Sequence, residues 1–266
     1  MIVLENTYEE SIVFPGSLNL IGLGIVSISE ITHNIVYSKG IGNSLMKKMI
    51  QLYKKEILHK EEGKVIDLIG SYTVYVHFYK LDYEIIAIFY LNEKDKLVRY
   101  EDLCNLSKEF IKIITLNRPI SEFDNVCKKA VPNATDTSAL FIISSTGHSL
   151  FTKIKKNMNY LSENYIQIGG FISAIITFSN EVVGKHSGEV LEAISFENQQ
   201  LYLSMKDEII FAYLVEKSVK SKNTKRYIEL LMEEFFMIYK DHIKDFNGDL
   251  SPFGKFEKVV DRYFVI

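Results

Sequence analysis

The chain has 266 residues, which suits one large domain or two of ordinary size. Its hydrophobic fraction of 47% and charged fraction of 24% are typical of a packed globular protein and argue against disorder. A net charge of −3 gives no reason to expect nucleic acid as a partner, and the two cysteines, Cys104 and Cys127, have the spacing of neither a disulfide framework nor a zinc site.

The first residues contain no basic stretch followed by an apolar one, so no secretion signal is expected. The longest apolar runs fall short of the ~20 residues needed to cross a bilayer. These features favour a cytoplasmic protein.

The predicted elements occur in the same order twice. Each copy has a strand, a polar turn and a strand, then a helix, three strands and two helices, and so reads β-β-α-β-β-β-α-α. The segments of the first copy are IVSISEITHNIVY from Ile25, an amphipathic helix over 44–58, strands over 63–78 and 83–94, the helical pattern YEDLCNLSKEFIKII and a short helix from Ser121. Those of the second copy are LFIISSTGHSLFT from Leu140, a helix over 166–183, strands over 188–203 and 207–218, the helical pattern KRYIELLMEEFFMIYKDHI and a short helix from Ser251.

The third and fourth strands of the two copies align without a gap at an offset of 125 (188 − 63). This register matches Val65 with Val190, Asp67 with Glu192 and Ile69 with Ile194. The long helices that follow match as core positions Leu103, Leu106, Phe110 and Ile113 with Ile228, Leu231, Phe235 and Ile238.

The first and fifth strands are apolar at consecutive positions, as in the segment IIFAYLV over 209–215. A strand with water on one face alternates, so these strands are predicted to be covered on both faces. The third and fourth strands alternate, as expected at or near an edge. The sequence therefore predicts an α+β fold of two tandem α/β/α sandwiches, each with a five-stranded antiparallel sheet, one helix on one face and two on the other.

The two copies are expected to form separate domains. The first spans 1–130 and includes an N-terminal extension, and the second spans 138–266. The polar, proline-bearing stretch between them predicts a linker over 131–137.

This repeated element order resembles the longin domain and the related roadblock domain, which are profilin-like. The resemblance covers nearly the whole chain, over 20–125 and 138–266, and rests on order, repeat and pattern. In the second copy, GGFISAIITFSNEVVG and GEVLEAISF resemble the helix and third strand of archaeal members. The resemblance implies a strand order of 2-1-5-4-3, pairing between such domains, and the binding or regulation of a small GTPase in membrane traffic.

No motif indicates catalysis, a metal or a cofactor. After Gly40-Ile41-Gly42, Leu45 stands where a dinucleotide fingerprint needs a third glycine, and the chain has neither a phosphate-binding loop nor a Gly-x-Ser-x-Gly elbow. His33 and His148 recur in the copies, but both fall in predicted hairpin turns, where polar residues are expected. A non-enzymatic protein is therefore expected.

The preferred interpretation is a non-catalytic dimerising platform that binds or regulates a small GTPase. Two alternatives stay open: a vesicle coat, tether or SNARE-like adaptor that binds peptide motifs, and a small-molecule sensor of the PAS, GAF or profilin-like type. Lysines of the 44–58 helix and of the loop over 216–226 could also contact an anionic membrane or an acidic partner.

The helix over 166–183 is the candidate interface, because it is apolar over more of its circumference than one sheet can cover and has small residues on one side. The resemblance implies contact through this helix and the third strand, which is expected to expose a sheet edge over 190–196. The partner would be another longin or roadblock protein or a second copy of this chain. The predicted interface residues are Ile166, Gly170, Ser173, Ala174, Thr177, Val190, Glu192 and Ile194.

Overall fold

The computed structural model describes residues 18–94, 96, 98–218 and 223–266. The chain divides into two compact units, the first ending at Pro132 and the second running from Asn133 to Ile266. Most of the predicted N-terminal extension, residues 1–17, lies outside the described residues, as do residues 219–222 of the predicted lysine-bearing loop.

The first unit contains a five-stranded antiparallel sheet with the strand order β2-β1-β5-β4-β3. Its elements are β1 (Gly22–Ile28), β2 (His33–Lys39), α1 (Asn43–Lys60), β3 (Gly63–Ile69), β4 (Tyr72–Leu81), β5 (Glu84–Glu93), α2 (Tyr100–Thr115) and α3 (Ile120–Ala130).

The second unit repeats this arrangement with the strand order β7-β6-β10-β9-β8. Its strands are β6 (Thr137–Ser144), β7 (Ser149–Ile154), β8 (Ala193–Ser195), β9 (Gln199–Lys206) and β10 (Ile209–Glu216). Its helices are α4 (Asn159–Glu163), α5 (Tyr165–Ser179) with a π-helical extension (Asn180–Gly184), α6 (Lys185–Ser187), α7 (Thr224–Lys244), and a 3₁₀ turn (Ser251–Phe256) that leads into α8 (Glu257–Tyr263).

Each sheet has a hydrophobic core on both faces. In the first unit α1 covers one face through Met46, Met49 and Ile50, and α2 with α3 covers the other. In the second unit Ile172 and Ile176 of α5 cover one face, and α7 with the C-terminal turn and α8 covers the other. The predicted fold class is confirmed: two tandem α+β units, each a five-stranded antiparallel sheet between helices.

The apolar runs mark the strands that are covered on both faces, as predicted. In β5 the residues from Ile85 to Asn92 are buried, and β10 is buried from Ile209 to Leu214. The predicted place of β4 next to the edge strand is confirmed, but its alternation does not leave one face open, because this strand is also covered on both faces. Its valines pack toward α1, while the polar side chain of His77 is fully buried beneath α2.

The edge strand β8 lies further along the chain than the alignment predicts. The turns that join β4 to β5 and β9 to β10 do correspond at the offset of 125, since Asp82 and Asp207 both take the left-handed conformation there (φ 48° and 46°). Val76 therefore matches Leu201. However, Val76 lies opposite Val65, whereas Leu201 lies opposite Ile194.

Ile194 thus takes the place of Val65, at an offset of 129 (194 − 65), and the gap-free alignment was wrong at this strand. The cause is the position of the turn before β9. Gly70, with φ 61°, allows a two-residue turn between β3 and β4, and the Phe196 N–H closes the corresponding turn by donating to the Gln199 carbonyl (2.9 Å). β9 begins 127 residues after β4 (199 − 72), so each arm of the second hairpin is two residues shorter and β8 moves four residues along the chain.

The match of Ile113 with Ile238 was also wrong. Ile113 is buried, but Ile238 is 45% exposed. The backbone of α7 departs from helical geometry at Tyr239 (φ −113°), and this rotates the Tyr239 side chain into the core instead.

The range predicted as a linker is largely packed within the two units. Val131 belongs to the core of the first unit and Ala134 to that of the second. The Ala134 N–H donates to the Tyr263 carbonyl (2.8 Å), and the Val265 N–H donates to the Ala134 carbonyl (2.9 Å). The residues before β6 thus hold the C-terminal residues of the second unit in place through backbone hydrogen bonds.

A buried polar network joins the sheet of the first unit to α2. His77 Nδ1 lies 2.8 Å from Ser107 Oγ, and Tyr90 Oη lies 2.6 Å from the same oxygen. The Ser107 hydroxyl donates to the Leu103 carbonyl (2.9 Å), while His77 Nε2 has no hydrogen-bond partner within the described part of the chain. Burial, reinforced by the Lys64 ammonium, lowers the pKa of His77 to about 4.

The packing of Ala134 leads to a prediction about fragments. We expect residues 133–266 alone to unfold cooperatively, because that range contains a complete sheet with both of its cores. The fragment 138–266 lacks the hydrogen bonds of Ala134 and should unfold at a lower urea concentration. Equal urea midpoints for the two fragments would contradict this role of the segment before β6.

The His77 pKa predicts a pH dependence of stability. The folded-state pKa of about 4 lies below the unfolded value near 6.5, so the contribution of His77 is fully present above about pH 6.5 and is lost as the pH falls toward 4. Between pH 7 and pH 4, the unfolding free energy of the wild type should fall by about 2 to 3 kcal/mol more than that of His77→Phe. Urea unfolding of both proteins at several pH values measures this difference, and parallel pH profiles would refute it.

Candidate protein-docking surface

The second unit exposes apolar side chains along α5 and its π-helical extension, and we call this surface the α5 face. From Asn164 to Asn180 the sequence contains no charged residue. A surface helix normally carries charge on its solvent side, so a helix without it is covered on more than one side. The exposed members are Ile166 (65%), Phe171 (54%), Phe178 (65%), Val182 (53%) and Val183 (45%).

The inner side of α5 is fixed by close packing. Ile172 and Ile176 enter the core, and a Cβ at Gly169 would lie 2.9 Å from the Gly147 carbonyl oxygen. The Ser173 hydroxyl donates to the Ser145 carbonyl (2.6 Å). These contacts set the rotation of the helix and thereby decide which residues face outward.

The outer side of α5 contains a glycine that its own unit does not require. A Cβ at Gly170 would meet no heavy atom within 4 Å. Glycine within a helix costs about 1 kcal/mol relative to alanine, so its presence on an open surface calls for another reason. Small residues on an exposed helix allow a second backbone to approach closely, and Ala174 lies one turn away from Gly170 on the same exposed side.

The structure brings together the predicted helix residues but not all of the strand residues. Ile166, Gly170, Ala174 and Thr177 are exposed on α5, whereas Ser173 is tied to the hairpin beneath it. Of the strand residues, Ile194 lies in β8 and is partly buried. Val190 and Glu192 precede that strand and are exposed, and the Glu192 carbonyl accepts the Leu203 N–H (2.8 Å).

The predicted interface did not include Phe171, Phe178, Val182 and Val183, although these residues contribute much of the exposed apolar surface of the α5 face. The charge-free run was the available signal, but periodicity alone did not show which of the many apolar side chains face the sheet. The π-helical extension beyond α5 had no signal in the sequence analysis.

The helical stretch Tyr165–Gly184 is long and apolar enough to cross a membrane by length and composition, and 22% of its most apolar window is buried. The sequence analysis expected no spanning segment. Ile172 and Ile176 of this stretch pack in a sheet core, so spanning would require α5 to leave its own unit. The packing therefore favours a helix that is seated on the sheet and exposes its outer side.

A cleft of about 870 Å³ lies beside the α5 face, around the outer part of β9. Ile176 and Asn180 of the helix, Val190 and Glu192 before β8, and Tyr202 of β9 are among its lining residues. The helix and the edge strand of the predicted interface thus border one concave site.

The sequence matches no protein-family model and no curated protein. Within the described ranges, no three His, Cys, Asp or Glu side chains are grouped closely enough to hold a metal ion.

The first unit exposes a different surface. Its edge strand β3 has seven residues, and Ile66 (60%) and Leu68 (54%) point outward from it. Lys47, Lys48 and Lys55 lie on the solvent side of α1. This unit therefore combines a longer open strand edge with a basic helix, whereas the second combines a shorter edge with an uncharged helix.

The adjacent glycines of α5 give a paired prediction. Gly170→Ala should raise the unfolding free energy of the unpaired chain by about 0.5 to 1 kcal/mol, because the new methyl group meets nothing within its own unit and the unfolded chain loses freedom. Gly169→Ala should lower it, because the methyl group would press on the Gly147 carbonyl oxygen. Urea unfolding of both variants at protein concentrations where light scattering shows a monomer tests this, and destabilisation by Gly170→Ala there would show that the outer side is packed within its own unit.

Proposed function

We propose that this chain is a cytoplasmic, non-catalytic tandem longin-like protein of the archaeal type that pairs through the α5 face and acts as a platform for a small GTPase. The fold supports this proposal because both units have the strand order 2-1-5-4-3 that the longin resemblance implies. The observation that carries it is the uncharged, exposed face of α5, with Gly170 and Ala174 on its outer side.

The dimensions of the α5 face suit a protein partner. A helix of 20 residues is about 30 Å long, and a stable interface buries about 800 Å² on each partner. Exposed Phe171 and Phe178 supply aromatic groups of the kind that dominate binding energy at interfaces. No charged side chain lies between Asn164 and Asn180 to repel a second apolar helix, and Glu181 in the π-helical extension is the first charged residue after this run.

The role in GTPase regulation rests on the longin resemblance, which associates paired domains with exchange complexes and regulatory subunits. Pairing would place two copies of each unit in one assembly and so offer a composite surface to a GTPase. The lysines of α1 give the first unit a separate basic surface for an acidic partner or an anionic membrane.

Two alternative functions each have a supporting observation. The edge of β3, with outward Ile66 and Leu68, suits a coat or tether adaptor, since an extended peptide could add to that edge as another strand. The cleft around β9 suits a small-molecule sensor, since its volume lies within the range of ligand sites.

Replacement of Ala174 by Arg tests the proposed pairing. The exposed position should accept the side chain without unfolding, while a charge buried in an interface without a partner costs several kcal/mol. Light scattering should therefore give a smaller particle for Ala174→Arg than for the wild type, with an unchanged far-ultraviolet circular dichroism spectrum that shows a folded chain. The matched control is Ile238→Arg on the exposed side of α7, which should keep the wild-type size.

The same proteins test the GTPase role in pulldowns with a panel of GDP-loaded and GTP-loaded small GTPases. Retention of a GTPase by the wild type and Ile238→Arg, with loss by Ala174→Arg, is the expected result. An unchanged size for Ala174→Arg would refute pairing through α5, and failure of every GTPase to bind the wild type would refute the platform role.

A further inference from the structure

The cleft around β9 is large enough for a small ligand and is specific to the second unit. Its walls come from β9, the end of β10, the segment 190–192 and the start of α7. In the first unit, His77 occupies the position of Tyr202, at the offset of 125 (202 − 77). There it is fully buried, with the ring of Tyr100 5.4 Å away. Tyr202 is only partly buried and lines the cleft.

Part of the wall is a pair of stacked tyrosines. The rings of Tyr202 and Tyr213 lie 5.3 Å apart with an interplanar angle of 17°. The Tyr202 hydroxyl donates to Gln200 Oε1 (3.1 Å), which holds this ring in place. Aromatic faces attract organic cations through their quadrupoles, and they also bind apolar bodies.

Three carboxylates line the same cleft: Asp136, Glu192 and Glu216. Asp136 is buried and accepts the Thr224 hydroxyl at the start of α7, so a protein carboxylate already occupies this helix N-terminus. Hydrogen bonds from Lys155 and Ser138 lower the pKa of Glu216 and keep it ionised. Glu192 is exposed, on the segment before β8.

Two lysines also line the cleft. The Lys217 ammonium donates to Ser195 Oγ (2.8 Å) and to the Phe196 carbonyl, so it is directed to the loop between β8 and β9. Lys225 is in the first turn of α7. Burial is the main cause that raises the pKa of Tyr213 to about 12, and Tyr202 and the charges of Glu229, Asp136 and Glu192 add to it.

We infer that this cleft binds a small organic cation, an ammonium group attached to an apolar body, with the body against the tyrosine pair and the charge near Glu192. The inference deepens the small-molecule-sensor candidate and is independent of pairing through α5. A neutral ligand would use only the apolar wall, and an anion would be repelled by the exposed Glu192 carboxylate.

Three probes that share one body and differ in charge test the inference by isothermal titration calorimetry on the full chain. These are phenylbutylamine, phenylbutanol and phenylbutyrate. The amine should bind about tenfold more tightly than the alcohol, in line with one ionic contact and one cation–π contact, and the acid should bind most weakly.

Matched variants assign the contacts. Glu192→Gln should weaken amine binding about tenfold, whereas Glu197→Gln, which makes the same charge change in the exposed loop before β9, should leave it unchanged. Tyr202→Leu should weaken binding, and Tyr202→Phe, which keeps the ring, should restore most of it.

The possible results distinguish the charge of the ligand from the existence of a binding site. Equal affinity for the three probes, or the tightest binding by the acid, would refute the preference for a cation but would keep the hypothesis that the cleft binds a small molecule. No binding of any probe at millimolar concentration would refute both the cation inference and the small-molecule-sensor alternative, and would not test the GTPase platform.

Discussion

The structure depends on one constraint: the central strands of each sheet are apolar on both faces, and both faces must be covered. A bare face of β5 or β10 would leave about half of the strand's apolar side chains in water, at about 25 cal/mol for each Å². Each unit of about 130 residues meets this demand by placing helices before and after the three-strand run, on opposite sides. The repeat satisfies the constraint twice.

The same constraint explains where the two units differ. The core positions of the strands and covering helices are kept, while the outer residues are free to change. The outer side of α1 carries lysines, whereas α5 contains no charged residue. His77 of β4 is buried in the first unit, whereas Tyr202, at the corresponding position of β9, lines the cleft in the second. The two units therefore present chemically different outer surfaces.

The second unit combines two surfaces that are close but chemically distinct. The α5 face is apolar and uncharged, which suits a helix of another protein. The cleft has carboxylates beside an aromatic pair, which suits a small cation. Ile176 and Asn180 line the cleft from the helix that carries the face, so the two surfaces adjoin.

By itself, the sequence determined the order of the main elements, the division into two copies and the coverage of the first and fifth strands on both faces. These features follow from local periodicity and from the repeat, which a single chain displays. The sequence also indicated that α5 has an exposed apolar side, because this helix has more apolar residues than one sheet can cover.

Only the tertiary structure decided the details that locate the sites. The four-residue displacement of β8 depends on the length of the hairpin that it forms with β9, which is two residues shorter on each arm, and it leaves Val190 and Glu192 outside the strand. Where α7 kinks at Tyr239, Tyr239 packs in the core in place of Ile238. The buried His77 has its hydrogen-bond partner in Ser107, 30 residues away in the chain. The cleft joins residues from Asp136 to Lys225. Contacts between residues so far apart in the chain leave no periodic trace in the sequence, because each depends on the packing of whole elements.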